Sequence, residues 1–145
     1  MESVTLEAIK ERIIKHEGKI NKIYKDSLGL KTFGVGHLVL NEDELEEGVE
    51  YSDDIVMRYF EKDFATAVLD AEKFIDPDEH PEDIFGVIIE MCFQLGYPRL
   101  CGFKKFKAAL EDKDYTTAAD EMLDSRWAKQ TPNRANDLAD IVRNV

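Results

Sequence analysis

The stretch His16–Val39, H-E-G-K-I-N-K-I-Y-K-D-S-L-G-L-K-T-F-G-V-G-H-L-V, decides how the rest of the chain is read. Leu6, Ile9 and Ile13, at helical spacing, lead into Glu17, and Gly18 is a natural helix stop. Ile20, Ile23 and Tyr24 then approach a turn at Asp26-Ser27-Leu28-Gly29, and Thr32-Phe33-Gly34-Val35-Gly36 reads as a returning strand. The segment predicts a helix closed by one carboxylate, a strand that enters its turn at a second, and a threonine on the way back.

Two carboxyls on neighbouring elements are what cleavage of a glycosidic bond needs. The leaving oxygen takes a proton in the transition state, while the forming oxocarbenium ion needs negative charge and an activated water. Glu17, in the last turn of its helix, sits where unpaired carbonyls favour the proton-carrying form. Asp26, in a polar turn open to water, suits the ionised role, and Thr32 can hold a water by its hydroxyl. Gly34 and Gly36 let backbone approach a bulky ligand. By spacing alone each residue also has an ordinary reading: a solvated helix-end Glu, a turn Asp, a strand Thr.

The segment resembles the active-site segment of the phage-type lysozymes. Three further matches follow in the same order: M-C-F-Q-L-G at 91–96, Gly102-Phe103, and S-R-W…Q-T-P-N-R from Ser125 to Arg134. The resemblance covers nearly the whole chain. It implies an α+β, lysozyme-like fold, with a small hairpin-sheet lobe over about residues 18–60. Residues 1–17 and 61–145 would supply the linking helix and an all-α lobe, the whole being one catalytic domain of 145 residues. It also implies an inverting muramidase acting on bacterial peptidoglycan at the bond between N-acetylmuramic acid and N-acetylglucosamine. Glu17 would be the general acid, Asp26 would stabilise or activate, Thr32 would orient water, and neither cofactor nor metal is implied. Leu38 and Phe93 match positions that contact the sugar chain, and Gln94 lies beside them. His37 and Asp63 match a structural ion pair, and Arg134 matches an arginine near the catalytic Glu.

Three departures stand out. Phe106 replaces a serine of the family and offers a stacking face. Glu121 replaces an asparagine that contacts substrate, and Glu90 replaces an asparagine at a structural position. The chain also ends soon after Ile141, short of the family's terminal segment. Glu121, Phe106 and the acidic stretch at 40–97 motivate one other reading, a non-catalytic saccharide-binding or virion structural module, and a lytic transglycosylase on a related fold stands beside it. Intact Glu17, Asp26 and Thr32 weigh against the first, and a water-holding Thr32 against the second.

Composition sets the outer bounds. The chain carries a net charge of −12, which makes nucleic acid a poor partner. The acid is concentrated: residues 40–97 hold three Lys/Arg against eighteen Asp/Glu, whereas 1–39 hold seven against five and 98–145 nine against eight. Both motif-bearing ends are thus slightly basic, which is compatible with an anionic wall polymer. No apolar run approaches the roughly 18 residues of a membrane span. M-E-S-V-T-L-E-A-I-K lacks the basic start and apolar core of a signal peptide, so synthesis in a host bacterial cytoplasm before release to the wall is expected. A monomer is the default. Cys92 and Cys101 read as reduced, buried small hydrophobes.

Further along, Ser52-Asp53-Asp54 opens a long helix whose apolar residues, Val56, Phe60, Phe64, Ala67, Ala71 and Phe74, recur every three or four positions. Residues 76–81 break the chain with two prolines. Ile84 to Leu95 is apolar almost all round and predicts a central buried helix. Shorter helices follow around Phe103–Leu110, after Asp114 or Thr116, and from Thr131-Pro132.

Overall fold

The computed structural model describes residues 3–145, with side chains from Thr5 onward. Eight α-helices and one three-stranded antiparallel sheet make up the described chain: α1 Ser3–Glu17, β1 Ile20–Lys25, β2 Lys31–Gly34, β3 His37–Leu38, α2 Asp53–Phe74, α3 Glu82–Leu95, α4 Tyr97–Leu100, α5 Lys104–Glu111, α6 Tyr115–Leu123, α7 Arg126–Gln130 and α8 Pro132–Arg143. The α+β class expected from the sequence is the one observed. None of these helices is long and apolar enough to cross a membrane.

The described chain forms two compact units, Glu7–Thr66 in one and residues 3–6 together with Ala67–Val145 in the other. The division falls differently from the grouping expected from the sequence, which placed residues 1–17 with the helices. α1 is tied to the start of α2 inside the sheet unit: Lys10 Nζ lies 2.9 Å from Glu61 Oε2 and 5.2 Å from the Phe64 ring centroid.

In the sheet unit the strand order is β1-β2-β3. The register pairs Tyr24 with Thr32 and Thr32 with Leu38, and pairs Ile23 with Phe33 and Phe33 with His37. Side chains alternate across a pleated strand, so these two rows face opposite ways. The Ile23–Phe33–His37 row faces the core. Phe33 is fully buried, with Tyr51 and Tyr59 edge-on to its ring at 5.4 Å each. The short β3 was not expected from the sequence, because two residues are too few to show an alternation.

The helical unit is built around α3, whose residues 84–92 are buried without exception. α8 packs on α3, α6 and α7, and α6 packs on α5. Asp114 caps α6, its Oδ1 accepting from the Thr117 N–H at 3.1 Å, and Ser125 caps α7 through Ala128 N–H at 3.1 Å. Thr131 stands at the start of α8, but its hydroxyl donates back to the Trp127 carbonyl instead of capping.

Two expectations are corrected here. Phe106 offers no stacking face: it is 1% exposed and stacks on Phe74 at 6.2 Å inside the core. On α5 it shares a face with Ala109 and Leu110, and burial of that apolar stripe decides its direction. Cys101 is exposed rather than buried, whereas Cys92 is buried and desolvation pushes its thiol up to about 12.

Candidate active site

Two of the predicted residues are set by one turn of the sheet, Asp26 half-buried and Thr32 buried. Asp26 continues β1 and faces Leu30, its N–H donating to the Leu30 carbonyl at 2.9 Å. One carboxylate oxygen, Oδ1, accepts from the N–H groups of both Leu28 and Leu30 at 2.9 Å, an Asx-type clamp that fixes the turn. Thr32 donates its hydroxyl proton to the same Leu30 carbonyl at 3.0 Å. A single residue's backbone therefore sets both Asp26 and Thr32. With the proton of Thr32 spoken for, its oxygen lone pairs are left to accept.

Tyr24 belongs with them, although sequence reasoning passed over it. It pairs directly with Thr32, and its phenol is pushed up by burial first and then by the charges of Glu17 and Asp26. Both carboxyls thus act on one hydroxyl. The signal was present in Y-K-D, where positions 24 and 26 share a strand face.

Glu17 is the last residue of α1 and is half-buried. Its carboxyl lies against the β2–β3 turn: a Cβ added to Gly36 would sit 2.7 Å from Glu17 Oε1 and 2.8 Å from Cδ. Gly36 also has φ +63°, a conformation that disfavours side chains by about 1–2 kcal/mol. Gly36→Ala is therefore expected to fold with that modest loss. It should lower kcat about a hundredfold, because displacing a reacting group by about an ångström costs that much. Thermal unfolding and initial rates of the purified variant check both halves.

Behind the sheet, His37 is held between two carboxylates, Nδ1 at 2.6 Å from Asp63 Oδ2 and Nε2 at 2.7 Å from Asp43 Oδ2. Asp43 also accepts from the Leu40 N–H at 2.8 Å, pinning the loop after β3. Asp43 was not singled out in the sequence, where it is one acid among many in N-E-D-E-L-E-E-G. Burial lowers the affinity of His37 for a proton, but the hydrogen bonds to Asp63 and Asp43 outweigh it and the net shift is upward. Burial raises Asp43, and the bonds from Leu40 and His37 carry it below its usual range.

The pH dependence follows from these signs. A raised His contributes stability fully below its unfolded value, about 6.5, and loses it as pH rises through the folded one. A lowered Asp contributes above the model value of 3.8 and loses it as pH falls through its folded one. His37→Gln should therefore cost most between about pH 4 and 6.5, on the order of 2 kcal/mol, and progressively less towards pH 9. Denaturant midpoints of both proteins at pH 5, 7 and 9 check this.

Of the other predicted residues, Leu38 pairs with Thr32, whereas Phe93, Gln94 and Arg134 belong to the helical unit. Leu38, half exposed on β3, stands in the same row as Tyr24 and Thr32. Phe93 and Gln94 lie near the end of α3 in the helical unit. The Gln94 amide is engaged there: Oε1 accepts from Trp127 Nε1 at 2.8 Å and Nε2 donates to Thr131 Oγ1 at 3.4 Å. Arg134, on α8, places its Nε 2.8 Å from Oε2 of the fully buried Glu90. A cleft of about 720 Å³ on the helical unit includes Glu121, Asp124, Lys104, Lys105 and Arg126 over Trp127, and none of Glu17, Asp26 or Thr32.

A small antiparallel sheet presenting acid residues, combined with a set of helices, is the arrangement of the lysozyme class of glycoside hydrolases. The phage lysozyme family pattern matches residues 14–143, and the chain belongs to that family. Among relatives, it is 29% identical to "Probable T4-type lysozyme 1" of Dictyostelium discoideum, covering 93% of each chain. It is 26% identical to "Probable T4-type lysozyme 2" of the same organism, covering 92% of each.

Proposed function

We propose that the protein is a muramidase that hydrolyses the β-1,4 bond between N-acetylmuramic acid and N-acetylglucosamine in bacterial peptidoglycan, with inversion. Glu17 gives its proton to the leaving oxygen. The attacking water donates one hydrogen to the Thr32 hydroxyl oxygen and the other to Asp26. Its lone pair is thereby turned towards the anomeric carbon, and Asp26 takes the proton as the bond forms. The observation that carries this reading is the shared use of Leu30. Its carbonyl takes the Thr32 proton and its N–H occupies Oδ1 of Asp26, so an acceptor oxygen on each is left for water.

The reading concerns wall chemistry, carried out by a monomer without a cofactor. Synthesis in a bacterial cytoplasm and release to the wall, as in an endolysin, is the proposed setting. The Dictyostelium names place T4-type lysozymes in another organism as well. Digestion of purified peptidoglycan with mass analysis of the fragments tests the proposal. Muramic acid at free reducing ends is expected. Anhydro-muramic ends would make the protein a transglycosylase, and intact wall with bound protein would make it a binding module.

A further inference from the structure

β3 is two residues long, His37 and Leu38, and its ladder to β2 has two pairs, Phe33 with His37 and Thr32 with Leu38. So short a strand draws little from its own hydrogen bonds. It nevertheless carries the edges of the candidate site. Gly36, just before it, borders the Glu17 carboxyl, and Leu38 pairs with Thr32. What fixes β3 is the His37 ring. Asp63 meets Nδ1 from α2 at 2.6 Å, and Asp43 meets Nε2 from the loop after β3 at 2.7 Å. The same Asp43 oxygen, Oδ2, accepts from the Leu40 N–H, and the Asp43 N–H returns to the Leu40 carbonyl at 3.0 Å. The ring thus bridges α2 to the loop, with β3 held between them.

The bridge needs the charged ring. Ionised carboxylates only accept, and an imidazole donates from both nitrogens only when it carries its second proton. The neutral ring has one N–H and one lone pair, so it can satisfy Asp63 or Asp43 but not both. We propose that Asp43 is a positioning residue for the hydrolysis, and that Asp43, His37 and Asp63 form a proton-dependent latch on β3, whole with the ring charged and open at one end with it neutral. This rests on the hydrolase reading of the neighbouring site and adds regulation by ambient pH to it. The other groups around the ring are few. From α2 the Tyr59 ring lies 4.8 Å away and Lys62 acts on Asp43, and from the loop Asp43 and Glu44 act on Tyr59. Burial disfavours the charged ring, but the two carboxylates carry its affinity for a proton above the ordinary value of 6.5. The latch therefore opens on the alkaline side of that value.

The test measures kcat and KM on purified wall from pH 5 to pH 9 for wild type, Asp43→Ala and Asp63→Asn. Alanine holds neither the ring nor the Leu40 N–H. The amide of Asp63→Asn can donate to a neutral Nδ1 while the Nε2 proton stays on Asp43, so this variant closes the latch without the second proton. Loosening the support of a reacting group is worth about tenfold, within the hundredfold that an ångström of displacement costs. Asp43→Ala should fall about tenfold below wild type in kcat at pH 6, with KM little changed, and should meet it near pH 9, where the wild-type latch is itself open. Asp63→Asn should gain about tenfold in kcat relative to wild type between pH 6 and pH 9. Ratios to wild type cancel the titration of Glu17, which all three share. Ratios that stay flat with pH in both variants overturn the latch, because a merely structural part would act equally throughout. Amide exchange reads the latch apart from catalysis. Protection of the Val39 N–H, which donates to the Lys31 carbonyl, should fall about tenfold in wild type over the same range and hold in Asp63→Asn. Equal protection in the two at pH 9 overturns the latch as well. Wild type that leaves wall uncut overturns the hydrolase reading, and Val39 protection then still decides the latch.

Discussion

Glu17→Gln is expected to reduce hydrolysis of purified peptidoglycan by about a thousandfold while leaving wall binding and thermal stability close to wild type. General acid catalysis contributes on the order of 10² to 10⁴ in rate, and a glycosidic oxygen is a poor leaving group without it. Glutamine keeps the size and hydrogen-bonding shape of the side chain against the β2–β3 turn, where Gly36 leaves room for it. What it removes is a proton that can be transferred. The loss should therefore appear in kcat, with KM little changed, because the interaction lost belongs to the transition state. Initial rates from reducing-end release, with binding measured by wall sedimentation, separate the two. A variant that cuts at more than a tenth of the wild-type rate would remove Glu17 from the mechanism.

The largest effect on stability is expected at Glu90. Its carboxylate is fully buried in α3 and receives the Arg134 Nε at 2.8 Å from α8. Taking such a charge out of water is costly, and the pair is sustained because each ion offsets the other's desolvation. Glu90→Met leaves the guanidinium without that carboxylate and should cost about 3–5 kcal/mol. For a chain of this length that lowers Tm by roughly 10 °C or more. The double change Glu90→Met with Arg134→Met should cost less than Glu90→Met alone, because well-packed apolar groups replace a buried pair with little net loss. A thermal melt of the three proteins at one pH gives the comparison. A single variant within about 1 kcal/mol of wild type would show that the buried carboxylate is not held by this pairing.

Some of this architecture is legible in the residues themselves. Glu17-Gly18 marks a helix end because glycine punctuates helices whatever their surroundings, and the apolar stripe from Val56 to Phe74 marks α2 because its period survives without tertiary context. Other features depend on contacts that sequence spacing does not carry. The second partner of His37 is Asp43, six residues on, in a loop whose other acids look the same in the sequence. Phe106 read as a surface aromatic because a serine was expected there, yet its spacing to Ala109 and Leu110 already assigned it to the buried side of α5. Cys101, before Gly102, reads as buried, but it lies just past the end of α4, where the backbone turns and its side chain is exposed.

The mechanism stands or falls on a water turned towards the anomeric carbon by Thr32 and Asp26. The most direct measurement is the configuration of the product as it first forms, followed by proton NMR of a wall glycan digest in the minutes before mutarotation. Attack by that water on a β-linkage, from the face opposite the leaving oxygen, produces the α-anomer first, and the account predicts α. A first product in the β configuration would mean a covalent or otherwise retaining route, and would contradict the roles assigned to Asp26 and Thr32.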